Sequence, residues 1–308
     1  MRKTKGMLLL CIIVTVFFLV GLIFWGLNLQ KQKAINNKKE SLQILANEKA
    51  LLTNTFLEDQ KEKLLIISSM NVLKQAAQYP NDSAKIETAK ERINELKSIL
   101  PGISILNNEG IAIIGEFDLP GTDYSQHPYF MAKGQDISFS KYYCPLRKKD
   151  YYAIIGPLYN KSKLIGRIAF DIELDKISTL MKEPIESETS EVYLIDETGL
   201  LLSGSKYIGE GNKNGILIQE VASEGAKACL EDLKKYQKDG AVEEHEEEVM
   251  KYANYIGEEV FGAHAYTADI LGCVIAEVSA DEVTESPLTG YLIAHIKNIF
   301  EKEVKNEN

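Results

Sequence analysis

Five aromatic side chains, Tyr129, Phe130, Phe139, Tyr142 and Tyr143, fall within fifteen positions of one another. Such a run can wall a concave, mostly apolar pocket that takes a small molecule. A carboxylate at a later strand end, Asp171, can hold a ligand amine through a charge-assisted hydrogen bond. Plainer alternatives stand beside these readings: aromatics on a strand more often fill a core, and an aspartate ahead of a helix often caps it. The remaining chemistry-bearing stretch is Glu243-Glu-His-Glu-Glu-Glu248. Its carboxylates suit a hard cation such as calcium, but the spacing fits no loop geometry, and a solvated hairpin end is the better reading. There is no G-x-S-x-G elbow, no phosphate-binding glycine loop and no H-E-x-x-H helix. The sequence therefore predicts neither an enzyme nor a cofactor.

The elements that must position these residues begin with a helical region over 30–100. Leu42, Leu45, Leu52 and Phe56 recur at three- and four-residue spacing, with Lys49 interrupting the stripe, and Leu64, Leu65, Val72 and Leu73 extend an apolar face. Pro80 breaks the run. Asp82 or Ser83 can cap a second helix, whose face is Ile86, Ile93, Leu96 and Leu100, and Pro101-Gly102 ends it.

From Ile103 the pattern turns to strands. Residues 103–106, the turn Asn107-Asn-Glu-Gly110 and residues 111–114 read as a hairpin. Val192-Tyr-Leu-Ile195, Asp196-Glu-Thr-Gly199 and Leu200-Leu-Leu202-Ser203 repeat it, with the two turn glycines 89 positions apart. Residues 164–177 and 270–283 match in the same way at an offset of 106. In each a glycine enters a strand, an acid (Asp171, Glu277) follows five residues on, and an acidic helix-like segment closes the unit. Two matching ends in the same order predict an internal duplication. Each copy would be a small antiparallel sheet with helices on one face, in an α+β fold.

With its apolar N-terminal segment, long helix and duplicated modules, the chain resembles the double Cache sensor domains of prokaryotic receptors. Asp123-Tyr-Ser-Gln-His-Pro-Tyr-Phe130, with Ala132 and Gly134, is similar to that family's signature, and Gly166 to Asp171 to its ligand-binding strand. The resemblance covers about residues 31–285. It implies two PAS-like modules in tandem, a membrane-distal one over 101–182 and a membrane-proximal one over 183–285. It also implies a ligand site built from His127, Tyr129, Phe130, Tyr142, Tyr143 and Asp171. In relatives that bind amino acids an arginine stands at the position of His127, a tryptophan and a tyrosine at Tyr129 and Phe130, and a tyrosine at Thr122. A neutral histidine offers no bidentate fork, so the resemblance carries over a pocket rather than amino-acid specificity. In the second module Glu277 is the counterpart of Asp171, and Tyr252, Tyr255, His264 and Tyr266 could line a smaller cavity. That module is expected mainly to relay or scaffold.

Residues 7–29 hold no charge and no proline over a length that spans a bilayer. Arg2, Lys3 and Lys5 place residues 1–6 in the cytoplasm by the positive-inside rule. The expected protein is thus a single-pass membrane protein whose main domain is extracytoplasmic. The chain has 35 basic and 45 acidic residues, a net charge of −10, and this acidity excludes nucleic-acid binding. Cys144, Cys229 and Cys273 are scattered without paired spacing and are expected as small core hydrophobes. Residues 286–308 read as a short amphipathic tail, with no output domain on this chain. The expected partners are a small ligand of the amino acid, amine or organic acid class, the membrane, and a second copy or a separate signalling protein. The role is sensing for signal transduction or chemotaxis; a surface-tethered interaction scaffold is the alternative.

Overall fold

The computed structural model describes residues 2–116, 120–126, 130, 137–144, 147–182, 189–207, 215–239, 249–267 and 272–284. Within the first helix it leaves out the side chains of residues 2–17, 19, 20, 23 and 24. That helix, α1, runs from Arg2 to Ser69. Met70 takes an extended conformation and separates it from α2 (Asn71–Gln78), a break with no proline or glycine to announce it. Pro80 opens the next turn. Asp82 then caps α3 (Ser83–Leu96), its side chain accepting from the Lys85 amide at 3.3 Å.

Two antiparallel sheets follow. The first comprises β1 (Ser104–Leu106), β2 (Ala112–Gly115), β3 (Ser138–Cys144), β4 (Lys149–Asn160) and β5 (Lys163–Glu173), in the order β2-β1-β5-β4-β3. Helix α4 (Leu174–Lys182) closes it. The second comprises β6 (Glu191–Asp196), then after α5 (Glu224–Asp239) β7 (Met250–Ala253), β8 (Glu259–Thr267) and β9 (Gly272–Ser279). Its order is β6-β9-β8-β7, and α6 (Ala280–Thr284) follows. With β2 set aside, the two orders are the same: first strand, last strand, then the two before it. This is the topology a duplication produces.

Both turn glycines are in the left-handed region that other residues avoid, Gly110 at φ 88° and Gly199 at φ 88°. The Asn107 side chain accepts from the Glu109 and Ile111 amides, fixing the first turn. The hairpin after β6 is shorter than its pattern predicts. Leu202 donates to the Leu194 carbonyl, but Leu201 already turns away to exchange hydrogen bonds with Leu217 and Gln219. Leu200 and Leu201 therefore form single bridges, and residues 200–203 make no strand.

One apolar core joins α1 to the same side of both sheets. Leu42, Ala46, Leu57 and Leu64 of α1 share it with Ile154 and Ile168 of the first sheet and Val274 and Val278 of the second. The buried stripe of α1 is not the all-leucine one the spacing suggests. Leu45 and Phe56 are half-buried, and Leu52 and Leu65 are exposed. Small and polar residues, Lys49, Ala50 and Thr53, occupy the inner positions instead. Lys49 is wholly buried, and its ammonium donates to the Leu180 carbonyl at 2.7 Å in the last turn of α4. It satisfies a helix end that has few internal partners. A second polar link joins the sheets, where Lys141 of β3 pairs with the buried carboxylate of Asp196. Burial alone would raise the Asp196 pKa. Lys141, the Thr198 hydroxyl and the Leu200 amide outweigh it and hold the group below its ordinary value.

Cys229 of α5 and Cys273 of β9 form a disulfide across Cα atoms 6.0 Å apart. This corrects the expectation that both are merely core hydrophobes. Their sequence separation of 44 conceals a helix-on-strand contact that no local spacing reveals. Cys144 is free and half-buried. Among the described residues no helix is long and apolar enough to cross a membrane. Most side chains of the candidate span over 7–29 lie outside the description, as do the acidic run 243–248 and all of 286–308.

Candidate functional site

The face of the first sheet turned away from α1 carries the polar cluster. Alternation along antiparallel strands puts Tyr142 of β3, Tyr151 and Ala153 of β4, and Ala169 and Asp171 of β5 on one side. Ala112, Ala153 and Ala169, with Leu106 and Ile155, make a floor against which Tyr124, Phe130 and Tyr142 pack.

Arg147, in the turn between β3 and β4, completes the cluster. Its guanidinium lies 3.8 Å above the Tyr151 ring, donates to the Tyr142 hydroxyl at 3.0 Å and forms an ion pair with Asp171. Tyr142 in turn stacks on Tyr151, with ring centroids 5.7 Å apart. Burial and the Asp171 carboxylate together push the Tyr142 phenol far above its ordinary pKa, so it stays protonated. Burial opposes the charge on Arg147, but the hydrogen bond and attraction of Asp171 overcome this and raise its pKa further. The result is a fixed cation and a fixed anion, side by side over an apolar floor.

Of the six site residues read from the sequence, Tyr142 and Asp171 meet through Arg147, and Phe130 borders the same floor. Tyr143 does not join them. It is the next residue on β3, so it points to the opposite face, where it is exposed. Phe139 also takes that face and stacks on Tyr152. His127 and Tyr129 lie outside the described residues. Arg147 was missed. Its only signal in the sequence is its place in a short turn two strands from Asp171, which becomes informative once the β3–β4 pairing is known.

Asp171 is seated by backbone. Its amide donates to the Pro101 carbonyl at 2.9 Å. Gly102, at φ 72°, lies directly behind the carboxylate, where any Cβ would collide with it. Gly102→Ala is therefore expected to misplace Asp171 and to cost about 1–2 kcal/mol of strain as well. Urea unfolding of the two proteins measures the cost; an unchanged midpoint would refute this account of Gly102.

A cleft of about 560 Å³ lies elsewhere, between α1 and β4, bordered by Lys61, Leu64, Ser68, Lys74, Gly156 and Tyr159. None of the residues around Asp171 reaches it. The second sheet offers a different arrangement. Glu277 is buried on β9 and accepts from the hydroxyls of Tyr193 at 2.8 Å and Tyr252 at 2.7 Å. His264 and Tyr266 lie further along, under α5, where His264 approaches Asp232 at 3.2 Å and Tyr266 meets Tyr236.

Comparison with known proteins agrees with this architecture. The profile described as "Cache domain" matches residues 28–287, nearly the whole chain after its first segment. The chain belongs to the Cache-domain family. Solved structures with the same fold include the sensor domain of the Vibrio cholerae histidine kinase DctB, at 12% identity and a TM-score of 0.59, covering 81% of this chain and 98% of that one. The ligand-binding domain of the Campylobacter jejuni chemoreceptor Tlp3, solved with 4-methylisoleucine, is 14% identical with a TM-score of 0.56, covering 82% and 95%. That of the Pseudomonas aeruginosa PAO1 amino acid chemoreceptor PctB, solved with L-Arg, is 12% identical with a TM-score of 0.55, covering 82% and 99%. No curated protein sequence matches the chain.

Proposed function

We propose that this protein is a membrane-anchored extracytoplasmic sensor that binds a small molecule of the amino acid, amine or organic acid class over the first sheet. The observation that carries this reading is the Arg147–Asp171 pair set beside Tyr142 above an apolar floor. A zwitterion matches such a pair: Asp171 receives its ammonium group, and Arg147 its carboxylate. Arg147 thus supplies the cation that His127 does not. The apolar segment 7–29 supplies the anchor, and residues 101–182 and 183–285 are the distal and proximal modules. Structural relatives solved with 4-methylisoleucine and L-Arg are consistent with an amino-acid-like ligand.

Thermal unfolding of the full chain against amino acids, amines and organic acids tests the proposal. A ligand at a hundredfold excess over its Kd stabilises by about 2.7 kcal/mol. Asp171→Ala is expected to weaken that ligand at least tenfold while leaving the helix content intact. A well-folded protein that responds to nothing on the panel, or a hit indifferent to Asp171→Ala, overturns the reading.

The scaffold alternative has one observation in its favour. Ile44, Leu51 and Leu65 are exposed on α1 at multiples of seven residues, the spacing of a helix-pairing seam. A second copy of this chain is the occupant this seam suits. Leu51→Lys is expected to shift the sedimentation of the detergent-solubilised protein from dimer to monomer; a monomeric parent protein removes this reading.

A further inference from the structure

Besides Asp196, which Lys141 pairs, the second sheet holds two buried acids where the first holds one. Glu277 on β9 stands directly across from Glu191 on β6, and the two are 1% and 3% exposed. The 89-residue offset that relates the two hairpins aligns Glu191 with Gly102, so an acid replaces the glycine behind Asp171. No arginine takes the part of Arg147. Among the described residues no ion pair reaches either carboxyl. Lys206 donates its backbone N–H to Glu191 at 2.6 Å, and its ammonium, set over the Tyr207 ring, acts on Glu191 from a distance without pairing with either carboxyl.

The two acids are not equally provided for. Glu191 accepts from the Ser205 hydroxyl, the Lys206 amide and the Tyr255 hydroxyl. Glu277 uses only Oε1, for Tyr193 and Tyr252. Its Oε2 has no hydrogen-bond partner among the described residues, and neither has Nδ2 of the adjacent, buried Asn254. The phenol of Tyr252 is threaded between Gly225 and Gly262, where a methyl on either would strike its ring. Its hydroxyl is therefore a fixed donor that cannot turn to Oε2. Tyr193 and Tyr255 meet edge to face beside the acids.

Two acids buried together with no cation paired to either leave one positive charge wanting, because buried charges are stable only when paired. A metal ion needs more ligands than are present: no group of three or more metal-ligating side chains occurs among the described residues. An ammonium group needs acceptors for three N–H donors and gains from aromatic faces nearby. Glu277 Oε2, the Glu191 carboxylate and the tyrosine rings offer both. We propose that Glu191 and Glu277 form a second ligand site that takes the ammonium group of a small primary amine, entering past the half-buried Tyr255 and Ser205. The site is separate from the one around Asp171.

The test uses the full chain carrying Asp171→Asn, which silences the first site. Ethylamine and ethanolamine hydrochlorides are titrated against sodium chloride at matched ionic strength, with the melting temperature as readout. The expected result is a rise of several degrees with either amine and none with salt. The amine concentration giving half this rise should increase at least tenfold when Glu277→Gln is added. If that variant fails to fold, Glu191→Gln replaces it with the same expectation. Calorimetry at neutral pH in two buffers of different ionisation heat should also show a proton released from Glu277 as the amine enters. No amine-specific shift in the Asp171→Asn protein, or a shift untouched by both glutamate variants, overturns the proposal and leaves a proton as the only cation this pair accepts. Loss of the first-site ligand in Asp171→Asn bears on the other reading alone.

Discussion

Raising the pH from about 5 to about 8 should cost this protein about 2.5 kcal/mol of folding stability through Glu277 alone. Burial is the main cause, pushing the folded-state pKa from an ordinary 4.5 up to about 7, and the Glu191 carboxyl opposite adds to it. Hydrogen bonds from Tyr252 and Tyr193, with the Asn254 side-chain amide close by, pull the other way without cancelling the shift. The sign follows from where the proton sits. Below the unfolded pKa both states hold it, and the contribution is fully present. Between the two values the unfolded chain releases the proton while the native state keeps it. Above the folded pKa the native state must carry a buried charge, and the contribution is gone. Glu191 shifts in the same direction, again mainly through burial, so it reinforces the trend. Asp196, held below its ordinary value, loses its contribution only at much lower pH. Urea unfolding of the parent protein and Glu277→Gln at both pH values checks this. The glutamine form should have lost most of the slope, and equal slopes would sink the assignment.

Lys49→Ala should destabilise the fold by about 3 kcal/mol, more than any nearby leucine at a half-buried position. The lysine stem fills space between α1 and α4, so truncation leaves a void. Its ammonium also satisfies the Leu180 carbonyl, and that oxygen would then be buried beside an apolar gap. Lys49→Met separates the two effects, since it restores the stem but not the charge. About half the loss should return. Denaturant midpoints for the three proteins give the answer. A loss below about 1 kcal/mol for alanine would mean that the carbonyl finds water instead.

Lys49 also shows how sequence patterning misleads. A charge in the middle of a leucine stripe reads as an interruption, and the spacing runs through Leu52 and Leu65, which face outward. Between Leu42 and Leu57 the inner row is built from alanine, lysine and threonine, residues that a search for a leucine stripe passes over. Where local geometry decides, the sequence is more informative. Gly110 and Gly199 mark turns that need positive φ, Pro80 ends a helix, and Asp82 caps the next. Asp171 and Glu277 fall at equivalent strand positions because the repeat preserves register. The partners of those acids were not legible. Arg147 reaches Asp171 from another hairpin, Glu191 faces Glu277 across a strand pair, and Cys229 meets Cys273 from helix to strand. Each of these contacts depends on a pairing that exists only once the sheets form.

The alternation of β3 has a consequence beyond the site itself. Tyr142 faces the Arg147–Asp171 pair, while its neighbour Lys141 reaches across to Asp196 at the turn that closes β6. A single peptide unit therefore has one foot in each sheet. Any ligand that draws Tyr142 toward itself twists the same backbone from which Lys141 projects. Thermodynamic reciprocity then applies: whatever factor ligand occupancy adds to the strength of the Lys141–Asp196 contact, that contact returns to the affinity for the ligand. On the proposed reading, Lys141 thus makes the Gly199 turn part of the affinity of a ligand site that it never touches.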